Sequence, residues 1–225
     1  MVFCQIDLKL AIIGYLKNMT NKQQKIVFVD FYGILSNTRF WFSVENFEHR
    51  LYEDLLKIQD FLFVQNRPLL DDWMRGQYTS EDIHNLLVEK FGINFEEWFH
   101  IFVEDCKKIE VSTKILEKLQ ELPANYLRIM VTDNMDSFDR FFLPESKILR
   151  DTFHEINNSF YVKKLKSDRD GELFLDILNN HGVPIENCIL IDDSPQNCQT
   201  FQKLGGKYYN SKIEEEVLEA LDNLI

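Results

Sequence analysis

Asp30, Thr132 with Asp133, and Asp192 with Asp193 stand where this 225-residue chain could do chemistry. Each follows a short, β-branched apolar run: Ile26-Val27-Phe28-Val29, Leu127-Arg128-Ile129-Met130-Val131 and Cys188-Ile189-Leu190-Ile191. Runs of this kind, bounded by polar turns and separated by helical patterns, are expected to be buried parallel strands. Ligands of open α/β sheets lie in the crevice at the carboxyl ends of the strands. If the three runs are parallel, these side chains meet in one crevice. Carboxylates gathered there repel one another and must be protonated or bridged by a cation. An all-oxygen set with room for water suits Mg²⁺ better than zinc.

The elements that must position these residues follow from periodicity. Between the first and second runs every pattern is helical. Val44, Phe47, Leu51, Leu55, Ile58 and Leu62 form the stripe of one amphipathic helix. Thr79-Ser80-Glu81-Asp82 is a capping-box pattern with Gly92 as the later stop, and Phe95, Trp98, Phe99, Phe102 and Val103 make another helical face. This predicts a helical insert over 37–110, too long for a plain strand connection. The insert interrupts an α/β core made of 25–36 and 111–225, and residues 1–24 form an extension with no readable role. Ser194-Pro195 predicts an N-cap with proline in the first turn, Gly205-Gly206 ends that helix, and a last helix spans Glu214 to Asp222.

With 37 Asp+Glu against 25 Lys+Arg, the formal charge of −12 argues against a nucleic-acid or anionic-membrane partner, which needs a basic surface. The apolar patch Leu10-Ala11-Ile12-Ile13 is far short of the ~18–20 residues that span a bilayer. Cys4, Cys106, Cys188 and Cys198 show neither CxxC nor zinc spacing, so the expected setting is the reducing cytoplasm. The five His show no metal or triad spacing. The expected partner is a small molecule; oligomeric state is not legible.

In order along the chain, four segments resemble the motifs of the haloacid dehalogenase (HAD) superfamily. Val29-Asp30-Phe31-Tyr32-Gly33-Ile34-Leu35 resembles the first, Met130-Val131-Thr132-Asp133-Asn134 the second, Asn158 to Asp168 the third, and Ile189-Leu190-Ile191-Asp192-Asp193-Ser194-Pro195-Gln196-Asn197 the fourth. The resemblance spans about the whole chain from Lys25. It implies a Rossmann-like three-layer α/β/α core with a mainly parallel sheet, and it places 37–110 where the family's inserted α-helical C1 cap lies. It also implies Asp30 as nucleophile, Thr132 and Lys166 as ligands of the transferring group, and a phosphorylated small-molecule substrate. Tyr32, Arg39 and Asp133 are the expected substrate-side residues. Mg²⁺ would be held by Asp30, the Tyr32 carbonyl and Asp193, with Asp192 in the outer shell. Lys163 and Lys164 compete with Lys166 for the lysine role, and counting from Ser159 favours Lys166.

Tyr32 departs from the family's phosphatases, which carry there a second Asp that protonates the leaving oxygen. A phenol with a reference pKa of about 10 does this poorly near neutrality. Ile34 also stands where Thr is usual. Three functions follow. A Mg²⁺-dependent phosphatase working through an aspartyl intermediate, slowed by Tyr32, accounts for Asp30, Thr132, Lys166 and Asp193. A 2-haloacid dehalogenase-like hydrolase accounts for Tyr32, with Arg39 or Arg67 as carboxylate ligand. A catalytically impaired HAD-like binding protein accounts for the missing Asp and Thr. A cap moving on hinges near Leu35–Asn37 and Glu110–Thr113 is expected to close over the crevice.

Overall fold

The computed structural model describes residues 24–225, so the segment read as an N-terminal extension lies, Gln24 apart, outside the described residues. Five parallel strands form one sheet: β1 (Lys25–Val29), β2 (Tyr126–Thr132), β3 (Glu155–Asn158), β4 (Cys188–Asp192) and β5 (Lys207–Asn210), ordered β3-β2-β1-β4-β5. β1 lies at the centre, with Val29 opposite Met130 on one side and Ile191 on the other. The three apolar runs are therefore the inner strands. β3 and β5, Glu-Ile-Asn-Asn and Lys-Tyr-Tyr-Asn, are the edge strands among the described residues and carry no such pattern.

Alternation along the strands divides the core into two layers. Val27, Val29, Met130 and Ile191 pack on the helices Thr113–Gln120 and Glu214–Asp222, whereas Ile26, Phe28, Val131 and Leu190 pack on Glu172–His181 and Phe201. The result is an α/β/α sandwich of the Rossmann-like kind. Cys106, Cys188 and Cys198 are free and buried.

Between β1 and the helix Thr113–Gln120 lie α1 (Tyr52–Gln59), a π-helical stretch (Asp60–Gln65), α2 (Arg67–Met74), α3 (Ser80–Phe91) and α4 (Phe95–Lys107). The capping box forms as the sequence predicts: the Thr79 hydroxyl accepts from Asp82 N while the Asp82 carboxylate accepts from Thr79 N, and Gly92 closes α3 at φ +67°. Of the helix predicted from Val44 to Leu62, only the part from Tyr52 on is helical, with Leu55, Ile58 and Leu62 buried as expected; its start does not form. Phe42–Val44 is a single 3-10 turn, the chain turns irregularly to Leu51, and Phe47 is 77% exposed. Local and tertiary hydrogen bonds outcompete the helix there. Ser43 donates both its N–H and its hydroxyl to the buried Asp105 carboxylate at 2.9 Å, and the Asn46 and His49 side chains accept from nearby backbone N–H groups.

These helices have their own apolar core around Trp41, Trp73, Trp98 and Phe102, and it continues into Met135, Phe160 and Leu165 beside the sheet. Polar ties reinforce the junction. The buried Asp136 carboxylate accepts from Trp73 Nε1 (3.2 Å), Ser80 N (3.1 Å), Ser80 Oγ (2.7 Å) and Arg140 (2.6 Å). Ser159 Oγ donates to the Met74 carbonyl at 2.7 Å, and Arg140 also reaches Glu81. Ser112 N donates to the Leu35 carbonyl at 2.8 Å, joining the two segments expected to act as hinges. The helices are thus docked on the sheet by a continuous apolar seam and a buried polar hub.

Candidate active site

Asp30 leaves β1 at the carboxyl edge of the sheet, where its N–H still bonds the Ile191 carbonyl at 3.0 Å. One carboxylate oxygen accepts from Phe31 N (2.7 Å) and the other meets the Lys166 ammonium at 2.5 Å. Lys166 is fully buried, and its ammonium also touches Asp192 at 2.6 Å, while its N–H donates to Asp133 at 2.9 Å. One lysine therefore joins carboxylates from the ends of three different strands. The neighbouring lysines point elsewhere: Lys163 donates to the Gly76 carbonyl, and Lys164 pairs with Glu172 and Asp176.

Asp192, the last residue of β4, is held from every side. Its free oxygen accepts from Ser194 N (2.8 Å) and Asn197 Nδ2 (3.2 Å), and Ser194 caps the helix Pro195–Lys203 that carries Asn197. Asp193, one residue on, is left facing the cavity. Oxygens of Asp30, Asp192 and Asp193 lie within 4.8 Å of one another. Gly33, at φ +84°, makes room for this: a Cβ there would stand 2.5 Å from Asp193 Cγ. The donor set is all oxygen and the turn leaves space beside it, so these residues fit a small hard cation.

Burial pushes the Asp30 carboxyl well above the usual carboxylate range; the Lys166 charge opposes that shift and Asp192 adds to it. Burial also carries Asp133 up to about 6 and raises Asp193. For Lys166 burial acts against the charge, but the carboxylates of Asp192, Asp30 and Asp133 outweigh it and hold the ammonium above the ordinary lysine range. The cluster is a compensated one, with the cation at its centre.

The crevice opens into a cavity of about 1050 Å³ between the sheet edge and the inserted helices. Asp30, Tyr32, Arg39, Asp133, Lys166 and Asp193 line it. Thr132 does not: its hydroxyl is buried without a hydrogen-bond partner among the described residues, and Asp133 takes the place on the wall. Sequence reasoning missed the Arg75–Asp168 pair, two bonds of 2.7 Å joining α2 to the loop after Lys166, where Asp168 also accepts from Leu165 N at 3.0 Å. No spacing rule links residues so far apart. Asn197 was within reach, since it is the third residue after the Ser194 cap.

A doubly wound α/β protein with a carboxylate–lysine crevice at its strand ends is the class defined by these features. The chain has the fold of the haloacid dehalogenase superfamily. A predicted HAD-like family hydrolase from Porphyromonas gingivalis superposes with a TM-score of 0.68 at 19% identity over 90% of this chain and 98% of that one. A HAD family enzyme from Bacteroides thetaiotaomicron, in complex with magnesium and inorganic phosphate, gives 0.65 at 19% identity, covering 84% and 94%. The L-2-haloacid dehalogenase of Xanthobacter autotrophicus gives 0.59 at 11% identity, covering 88% of each. In sequence, 156 residues are 24% identical to drimenol cyclase drtB of Aspergillus calidoustus; the match takes in 68% of this chain and 29% of that protein. No family model matches the chain. Among the described residues no helix is long and apolar enough to cross a membrane.

Proposed function

We propose that the protein is a Mg²⁺-dependent phosphoester hydrolase that works through Asp30. The observation that carries this reading is the Lys166 ammonium set between Asp30 and Asp192 at the bottom of a cavity that Asp193 also faces. Phosphoryl transfer asks for positioning and positive charge more than for covalent machinery. Asp30 attacks phosphorus and the ester bond breaks, giving an aspartyl-phosphate; water then attacks the same phosphorus and restores the carboxylate. Lys166 aligns Asp30 and offsets charge on the phosphoryl oxygens. Arg39, which has no ion-pair partner among the described residues, sits on the cavity wall as a ligand for the substrate's anionic group. Asp30, the Tyr32 carbonyl and Asp193 would hold the metal, with Asp192 behind them. Bound there, Mg²⁺ supplies positive charge that lets an anionic substrate approach the carboxylates. The helices of 37–110 serve as a cap that walls the cavity. The likeness to a structure holding magnesium and phosphate supports the reading at the level of fold.

A dehalogenase-like reaction is the second reading, favoured by Tyr32 standing 45% exposed in the cavity where a phosphatase has its acid. One assay separates the two: phosphoesters and 2-chloropropionate, each with Mg²⁺ or EDTA, for the wild type and Asp30→Asn. Metal-dependent phosphate release lost in the variant is expected. Metal-independent halide release would replace the first reading by the second.

A further inference from the structure

We propose that the substrate joins its phosphoryl group to an apolar body through a weakly basic oxygen, as in an aryl phosphate or an alkyl diphosphate. The inference rests on the phosphohydrolase reading above and adds the substrate class. Two separate observations carry it.

The first is the wall of the cavity away from Asp30. Large apolar side chains are rarely left exposed together without a function. Here Leu56 is 42%, Phe63 40% and Val64 73% exposed, and all three line the same cavity as Asp30. Phe63 and Val64 lie on the π-helical stretch Asp60–Gln65, a conformation frequent at functional sites. Phe40, Leu70 and Met74 continue this surface inward. Arg39 apart, which is assigned to the substrate's anionic group, the guanidinium groups that line the cavity are already engaged, Arg67 with Asp71 at 2.7 Å and Arg75 with Asp168 at 2.7 Å. Beside the polar Thr38, Gln59 and Asp60, a ligand therefore meets a sizeable apolar area beyond its phosphoryl group, in a cavity at the upper end of the ~300–1,000 Å³ usual for small-molecule sites.

The second is Tyr32. When Asp30 attacks and the phosphorus–oxygen bond breaks, the electron pair goes to the leaving oxygen. With no carboxylic acid two residues after the nucleophile, that oxygen departs unprotonated and takes its proton from solvent afterwards. A phenolate, or the phosphate of a diphosphate cleaved at its terminal phosphorus, departs readily in this way; the alkoxide of a sugar or glycerol does not. The water that then attacks the aspartyl-phosphate gives its proton to the released phosphate or to solvent.

The test crosses body with leaving group. Binding of 1-naphthyl phosphate, decyl phosphate and glycerol 3-phosphate to Asp30→Asn with Mg²⁺ is measured by calorimetry, and phosphate release by the wild type from the same three, 4-nitrophenyl phosphate and decyl diphosphate. Expected is at least tenfold tighter binding of the naphthyl and decyl esters than of glycerol 3-phosphate, a preference reduced by Phe63→Ser and Val64→Ser, which alter partly exposed side chains. Turnover should be at least tenfold faster for the aryl esters or the diphosphate than for decyl phosphate, and whichever of the two leads identifies the source. Equal binding of the three esters, or equal turnover of decyl phosphate and its diphosphate with aryl esters no faster, overturns the inference while leaving the hydrolase reading intact. Absence of phosphate release from every compound overturns the hydrolase reading, and the binding measurements still judge the apolar wall.

Discussion

Replacing Lys166 by Met should expose how much of the fold depends on one buried cation. The side chain is fully buried, and its ammonium is 2.5 Å from Asp30 and 2.6 Å from Asp192. Methionine fills much of the same volume but leaves two buried carboxylates face to face, with Asp133 beside them. Breaking a buried ion pair by removing one partner costs about 3–5 kcal/mol. For a chain of this size each kcal/mol moves Tm by roughly 2–4 °C, so a fall of about 6–20 °C is expected at pH 7. The loss must shrink in acid. Without Lys166 the Asp30 carboxyl, already raised by burial, loses the charge that opposes that shift, so the native state binds more protons and the variant's deficit grows as pH rises from the unfolded toward the native pKa. Below the unfolded value of about 4 both states are protonated and the charge penalty vanishes. Thermal unfolding of wild type and variant in EDTA at pH 7.5 and pH 5 measures this. A Tm change under about 2 °C at pH 7.5, or a gap that widens at pH 5, would refute the convergence of carboxylates on Lys166.

Asp133→Asn should stabilise the protein at pH 7.5, by an amount on the order of 1 kcal/mol, because burial raises this carboxyl to about 6 and the native state resists its ionisation above that value. The gain should be absent at pH 4, where urea unfolding of the two proteins should coincide. Asp136→Ala removes the acceptor of Trp73, Ser80 and Arg140 at the seam between inserted helices and sheet. It should cost about 2–4 kcal/mol in denaturant unfolding and shift the tryptophan emission, whereas an unchanged midpoint would mean the hub contributes nothing. Gly33→Ala puts a Cβ 2.5 Å from Asp193 Cγ at a positive φ, so it should weaken Mg²⁺ binding at least tenfold by calorimetry while lowering Tm only by a few degrees.

Much of this was legible in the chain. The inner strands announced themselves because a strand covered on both faces must be apolar throughout, and their last residues fixed the crevice. The edge strands were hidden by polar composition, and Phe47 misled because a helical spacing held no memory of the tertiary bonds from Ser43 to Asp105. Lys166 could be placed by counting, since a short turn leaves few alternatives, but that Thr132, expected to meet the transferring group, lies off the cavity wall that Asp133 lines depends on the local course of the chain past β2. Arg75 with Asp168, and Asp136 with Ser80, join residues more than fifty positions apart, where no local pattern reaches.

The central claim is that Asp30 is the nucleophile in phosphoryl transfer. Rapid acid quench of the wild type turning over 4-nitrophenyl phosphate with Mg²⁺, followed by peptide mass spectrometry, tests it directly. The account predicts one phosphoryl group on the peptide that contains Asp30, and none in Asp30→Asn or in EDTA. Phosphate release with that peptide unmodified, or a phosphoryl group on another residue, would contradict it.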